Sequence, residues 1–241
     1  MIPFFVVFFA WFFQSVTGFG AGIFIVGVLS LFYDPKMVIV SSAVFNLLGT
    51  LGLLYQNRKG KLNLYLLFSL LLGSLPGIFI GAYLLDIMDK RTLNFVIGFF
   101  IVFLGLYDLG VSRGWIKIGL SRHMGVPVGF LGGLFAGLVG MGGPPPLVFL
   151  SQHITDPHSI RLMLNTYFTF NILFRLFFYQ SLEVSLVDWN FIVFGSLGLL
   201  LGLFAGGMLA KRLHVNQYRR GTPYAVIFLG LLIVVFAEVG L

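Results

Sequence analysis

Eight apolar stretches, each roughly 18 to 30 residues long and separated only by short polar connections, leave this chain few ways to fold. The connections are YDPK (33 to 36), QNRKGK (56 to 61), DIMDKR (86 to 91), VSRGWIKIGLSRH (111 to 123), SQHITDPHSIR (151 to 161), QSLEVSLVD (180 to 188) and KRLHVNQYRR (211 to 220). Every stretch is long enough for a helix to cross a bilayer, whose hydrocarbon core takes about 20 residues. With 59% hydrophobic and 10% charged residues, no water-soluble core of ordinary proportions covers that much apolar surface. The expected fold is therefore an all-α polytopic membrane protein.

Several function classes drop out at once. The opening MIPFFVVFFAWFFQ lacks a basic leader and a small-residue cleavage site, so the first apolar stretch is expected to remain in the mature chain. There is no cysteine, hence no disulfide, thiol nucleophile or cysteine metal site. The net charge of +7 falls in the connections, where it reports orientation in the bilayer rather than nucleic-acid binding. No phosphate-binding GxxxxGK[ST] run is present, and the GxGxG at Gly18 to Gly22 has neither the preceding soluble strand nor the later acid of a dinucleotide site. No metal-ligand spacing or serine, histidine and acid arrangement stands out in a span. No cofactor and no enzymatic activity are expected.

The stretches repeat. A shift of 122 lays Gly18, Gly20, Asp34 and Pro35 on Gly140, Gly142, Asp156 and Pro157, and Gly73-Ser74-Leu75 on Gly195-Ser196-Leu197. A shift of 125 lays Gly81 on Gly206 and Phe103 to Leu106 on Phe228 to Leu231. This divides the chain into a first transmembrane repeat (1–110), a cytoplasmic connection (111–123) and a second repeat (124–241). The first stretch of each repeat is about 30 residues long and is broken near its middle, by GFGAG (18 to 22) or GMGGPPP (140 to 146). One continuous helix of that length measures ~45 Å against a ~30 Å hydrocarbon core, whereas two half-helices reach only ~20 Å each.

Basic residues choose between the two topologies. If all eight stretches span, in two parallel repeats, Lys36, Lys90, Arg91, Arg161, Lys211, Arg212, Arg219 and Arg220 face one side and Arg58, Lys59, Lys61, Arg113, Lys117 and Arg122 the other, eight against six. If both broken stretches are re-entrant hairpins, the split becomes eleven against three, as the positive-inside rule prefers. The expected architecture is two inverted repeats, each of three spanning helices plus one broken re-entrant hairpin, with both termini outside. Discontinuous helices at corresponding places in inverted halves point to a midplane binding site.

A half-helix that starts inside the membrane presents unpaired N–H groups and a positive dipole end, which suits a small anion. The candidate donors are Gly20, Ala21 and Gly22 in the first half and Gly142 and Gly143 in the second, with Thr17 and Gln14 on the approach. Polar residues within spans add Asn46, with Thr50 on its face, then Asn165 with Thr169, and Asn171 with Arg175. These side chains either line a substrate path or bond between helices. Arg175 either supplies the fixed countercharge or snorkels to the interface. The four-residue glycine spacings at Gly73, Gly77 and Gly81, at Gly129, Gly133 and Gly137, and at Gly198, Gly202 and Gly206 read as helix contacts or as the seam of a homodimer.

The doubled pattern, TGFGAG and then YDPK at Thr17 to Lys36, and GLVGMGGPPPLVFL and then TDPHSIRLMLNTYFTFN at Gly137 to Asn171, resembles the TauE/SafE family of bacterial sulfite and organosulfonate exporters. The resemblance implies a multi-pass protein of the bacterial inner membrane that moves a small sulfur-containing oxyanion as a secondary transporter. An anion channel on the same scaffold, or a non-transporting membrane assembly partner, is the alternative.

Overall fold

The computed structural model describes residues 1–17, 20–113, 119–182 and 187–210, together with residues 230, 231, 233 and 235. The basic cluster at Lys211, Arg212, Arg219 and Arg220 lies outside the described residues, as do Gly18, Lys117, Glu183 and the side chain of Thr17. Among the described residues the chain is all helix and turn, without strands: α1 (Ile2–Thr17), α2 (Ala21–Leu29), α3 (Pro35–Gln56), α4 (Leu64–Ile87), α5 (Lys90–Ser112), α6 (Gly125–Val139), α7 (Pro144–His153), α8 (Pro157–Ser181) and α9 (Trp189–Ala210). Five segments are long and apolar enough to cross a membrane: Pro35–Gln56, Leu64–Ile87, Lys90–Tyr107, Arg122–Val139 and Trp189–Leu209.

The surface chemistry is that of a protein in lipid. Phe9, Phe68, Phe99, Phe177 and Phe204 each expose more than half of their surface, while Gln14, Ser42, Asn57, Ser74, Asn171 and Arg175 are buried. In water that distribution would leave a large apolar patch on the outside. In a bilayer it places hydrocarbon against hydrocarbon and keeps polar groups among partners. The chain is a multi-pass membrane protein.

Short polar caps start the long helices. Asp34 accepts from the N–H groups of Lys36 and Met37, and Asp156 from that of Ser159, each just before a proline at the first helical position. These are the two Asp-Pro turns that the repeat aligns. Asn63 caps α4, and Asp89 and Asp188 do the same for α5 and α9.

Both broken stretches fold back on themselves. Val28 and Phe24 of α2 share a crevice with Val6 and Phe9 of α1, and the Phe13 and Phe24 rings meet edge to face at 5.4 Å. On the other half, the Leu120 N–H just before α6 donates to Gln152 Oε1 near the end of α7, at 2.8 Å. Helix α4 then sets the two halves in order. Lys36 Nζ donates to the Asp86 carbonyl at the end of α4, while the Lys61 N–H just before α4 donates to the Ser159 hydroxyl at 2.8 Å. A 24-residue helix is ~36 Å long, so the two Asp-Pro turns sit at opposite ends of the bundle.

The glycine spacings are explained by close parallel packing within the chain. A β-carbon on Gly77 would stand 2.3 Å from the Phe130 carbonyl oxygen, and one on Gly133 2.3 Å from that of Ser74, so α4 and α6 lie backbone to backbone. Gly198 and Gly202 approach the Phe4 and Phe8 carbonyls of α1 in the same way, each within 2.3 Å of an added β-carbon. Each hairpin's first arm therefore packs on a helix of the other half. Of the two readings of these glycines, helix contact and homodimer seam, it is helix contact within the chain that this packing supports.

Candidate functional site

The site begins where the hairpins turn. Gly20, with φ 113° and ψ −14°, is left-handed and leads into α2, and the Ala21 N–H that follows donates to Gln14 Oε1 at 2.8 Å. Gly140, with φ 75° and ψ 8°, is left-handed and ends α6, with its own N–H turned back to the Ala136 carbonyl. Pro144, Pro145 and Pro146 then form the first turn of α7, and the first helical N–H to find a partner is Leu147, bonded to the Gly143 carbonyl at 3.1 Å. A proline run that would destroy a helix interior thus occupies the positions whose N–H groups lack an intrahelical acceptor.

The two turns touch. A β-carbon on Gly22 would lie 3.1 Å from the Gly140 carbonyl oxygen. Between them is a cavity of about 80 Å³, several times the ~10–15 Å³ that one water requires. It is lined by Gly20, Ala21, Gly22 and Ile23 of the first hairpin and by Gly140 to Pro144 of the second. Trp11 and Gln14 of α1, Asn46 and Thr50 of α3, Ala136 of α6, and Tyr167, Phe168, Asn171, Ile172 and Arg175 of α8 complete the wall. That size fits a small ion.

Arg175 is the charge in this wall. It is only 4% exposed, with Nε donating to the Tyr179 hydroxyl at 3.3 Å and Nη2 to the Ile39 carbonyl at 3.4 Å. Tyr179 is itself buried and donates to the Gly137 carbonyl, one turn before the second break. The guanidinium stands against Gly140, where an added β-carbon would meet Nη2 at 3.3 Å. Snorkelling is therefore not its conformation. Among the described residues its hydrogen-bond partners are neutral oxygens and no carboxylate pairs with it, so the buried charge favours an anion beside it.

Two asparagines add direction. The Trp11 indole N–H donates to Asn46 Oδ1 at 3.0 Å, with the ring pressed on Gly49, where a β-carbon would fall 2.1 Å from it. Asn171 Nδ2 donates to the Tyr167 carbonyl at 2.8 Å, and its Oδ1 is buried without a partner. Of the candidates read from the sequence, Gly20, Ala21, Gly22, Asn46, Gly142, Gly143 and Arg175 come together here. Asn165 and Thr169 do not line the cavity: Asn165 Nδ2 donates to the Arg161 carbonyl and Thr169 Oγ1 to that of Asn165, both one turn back in α8. Trp11, Tyr167 and Tyr179 were not singled out by sequence. Trp11 precedes Gln14 by three residues and Tyr179 follows Arg175 by four, the helical-neighbour spacings that would have found them.

The family model described as "Sulfite exporter TauE/SafE" matches residues 3–236 of this chain. The chain belongs to the TauE/SafE family. Within the family it is similar to the probable sulfite/organosulfonate exporter TauE of Cupriavidus necator, with 25% identity over 175 residues, covering 69% of this chain and 66% of that protein. The chain thus spans just under two thirds of the curated relative it matches. No solved structure matches. The family match covers both hairpins and all the lining residues, so this member's cavity lies wholly within the matched region.

Proposed function

We propose that this protein is a secondary exporter of a small sulfur-containing oxyanion, held in the cavity between the two helix breaks. The observation that carries the reading is Arg175: a buried cation whose hydrogen-bond partners among the described residues are neutral, lining a cavity of ion size where two half-helices begin. The glycines let the ligand approach backbone N–H groups, and the positive ends of α2 and α7 add to the attraction. Sulfite or a small organosulfonate is the substrate class carried over from the family description and from the relative's name.

The halves act as inverted repeats in the bacterial inner membrane. In support, the two Asp-Pro turns lie at opposite ends of α4, and each hairpin packs on the opposite half. Rocking of one half against the other would open the cavity alternately to each side. Outward movement of an anion is favoured by an inside-negative potential, at ~2.3 kcal/mol per charge per 100 mV.

The test is uptake of radiolabelled sulfite into proteoliposomes, with and without an imposed potential and with taurine, sulfoacetate, thiosulfate and sulfate as competitors. Saturable, competable flux is expected. Flux that never saturates would indicate a channel. No flux from folded protein under any gradient would move the reading to an assembly partner.

A further inference from the structure

Two amides in the cavity wall are held by their oxygens alone. Asn46 Oδ1 accepts the Trp11 indole N–H at 3.0 Å, and Gln14 Oε1 accepts the Ala21 N–H at 2.8 Å. Both partners can only donate, so turning either amide over would set N–H against N–H. The sense of each amide is therefore fixed, with its NH₂ group on the far side. Neither nitrogen has a partner among the described residues, yet neither is sealed off: the buried side-chain atoms left unpaired there are Ser30 Oγ and the Oδ1 atoms of Asn94, Asn165 and Asn171. The two amide nitrogens thus border accessible space, and both residues line the cavity that Arg175 also lines. An unpaired donor at a cavity wall is a place for an acceptor.

We propose that Asn46 and Gln14 are fixed hydrogen-bond donors to the bound anion, and that Trp11 is a positioning residue that acts through Asn46. This rests on the anion site proposed above and divides its work between the halves: the first supplies oriented neutral donors, the second the charge of Arg175. Under the repeat shift of 122, Gln14 falls on Ala136, Asn46 on Phe168 and Arg175 on Leu53, so neither half duplicates the other's part. Trp11 is itself held in place, buried and with its ring against Gly49. Without its N–H, Asn46 is free to turn its oxygen toward the anion, and repulsion replaces attraction.

The experiment measures binding of sulfite and of ethanesulfonate to purified protein by calorimetry at one pH, with thermal unfolding of each variant alongside. Asn46→Ala is expected to weaken both anions about tenfold, the scale of one hydrogen bond to a charged group. Trp11→Phe keeps a ring on Gly49 and removes the N–H, and should weaken them about threefold to tenfold. In the Asn46→Ala background the same Trp11→Phe change should do nothing further, because its effect passes through Asn46. Gln14→Glu puts a carboxylate at the start of α2, so the melting temperature should hold or rise while affinity falls by about tenfold or more. Losses that multiply in the double variant would show Trp11 acting on its own and overturn its positioning role. Wild-type affinity in Asn46→Ala or Gln14→Glu overturns the donor assignment and leaves the anion site standing. Failure of the folded wild type to bind either anion overturns both.

Discussion

The hydroxyl of Tyr179 joins the Arg175 guanidinium to the backbone one turn before the Gly140 break, accepting from Nε and donating to the Gly137 carbonyl. The cation is thereby tied to the hairpin whose turn forms half of the cavity. Tyr179→Phe keeps the packing and removes the link. Anion affinity is expected to fall by about tenfold, the scale of one hydrogen bond to a charged group. Arg175→Gln should lose roughly 10- to 150-fold, because it removes a charge-assisted contact of ~1.5–3 kcal/mol. Calorimetric titration of sulfite against the two variants checks the order.

The Trp11 ring abuts Gly49, and it holds Asn46 by its indole N–H. Gly49→Ala would displace the ring and release the amide. A stability loss of about 1–3 kcal/mol is expected from overpacking, with weakened anion binding in the protein that remains folded. Thermal unfolding in detergent, paired with the same titration, separates the two effects.

Backbone contact between α4 and α6 makes an equally specific demand. Gly77→Ala places a methyl group 2.3 Å from the Phe130 carbonyl oxygen, and backbone cannot swing aside, so the protein should be destabilised at or beyond ~3 kcal/mol. Gly52→Ala is the control. Its methyl group meets the end of the Leu203 side chain at 2.6 Å, which can rotate away, and the melting temperature should fall much less.

The interface between the halves also titrates. Ser159 donates its hydroxyl to Asp156 and accepts the Lys61 N–H, and this hydroxyl is the main reason the Asp156 carboxyl is held below its ordinary range. Because the folded pKa is depressed, the stabilisation is present above the unfolded value and is lost as pH falls through the folded one. Melting temperature should therefore drop in acid for the wild type, and Ser159→Ala should flatten that dependence. Unchanged acid sensitivity in the variant would show that another group is responsible.

Absence of native cysteine makes topology directly readable. Lys90→Cys is expected to react with a membrane-impermeant reagent from outside, and Lys59→Cys and Thr155→Cys only after permeabilisation. Labelling of position 155 from outside intact cells would contradict the inverted arrangement.

Much of this site was legible because its elements rest on residues with narrow backbone uses. Asp34-Pro35 and Asp156-Pro157 can hardly do anything but begin helices, and the broken runs at Gly18 to Gly22 and Gly140 to Pro146 can hardly continue one. What sequence could not weigh was direction. Arg175 stands near the end of its span, where only the surrounding packing decides between snorkelling outward and folding in toward Tyr179. Asn165 and Asn171 look alike as polar residues in one helix, yet only Asn171 lies on the wall where the two breaks meet. Trp11 was hidden by its neighbours, since FFVVFFAWFF gives one indole no distinction from the nine aromatic or aliphatic residues beside it until the Asn46 bond is seen.

The most direct measurement of the central claim is an anomalous difference map of the protein with bound selenite, a heavier analogue of sulfite. The account predicts a selenium peak between Gly20 to Gly22 and Gly140 to Gly143, within hydrogen-bond reach of Arg175, that disappears in Arg175→Gln. A peak elsewhere with this cavity empty, or an unchanged peak in the variant, would contradict it.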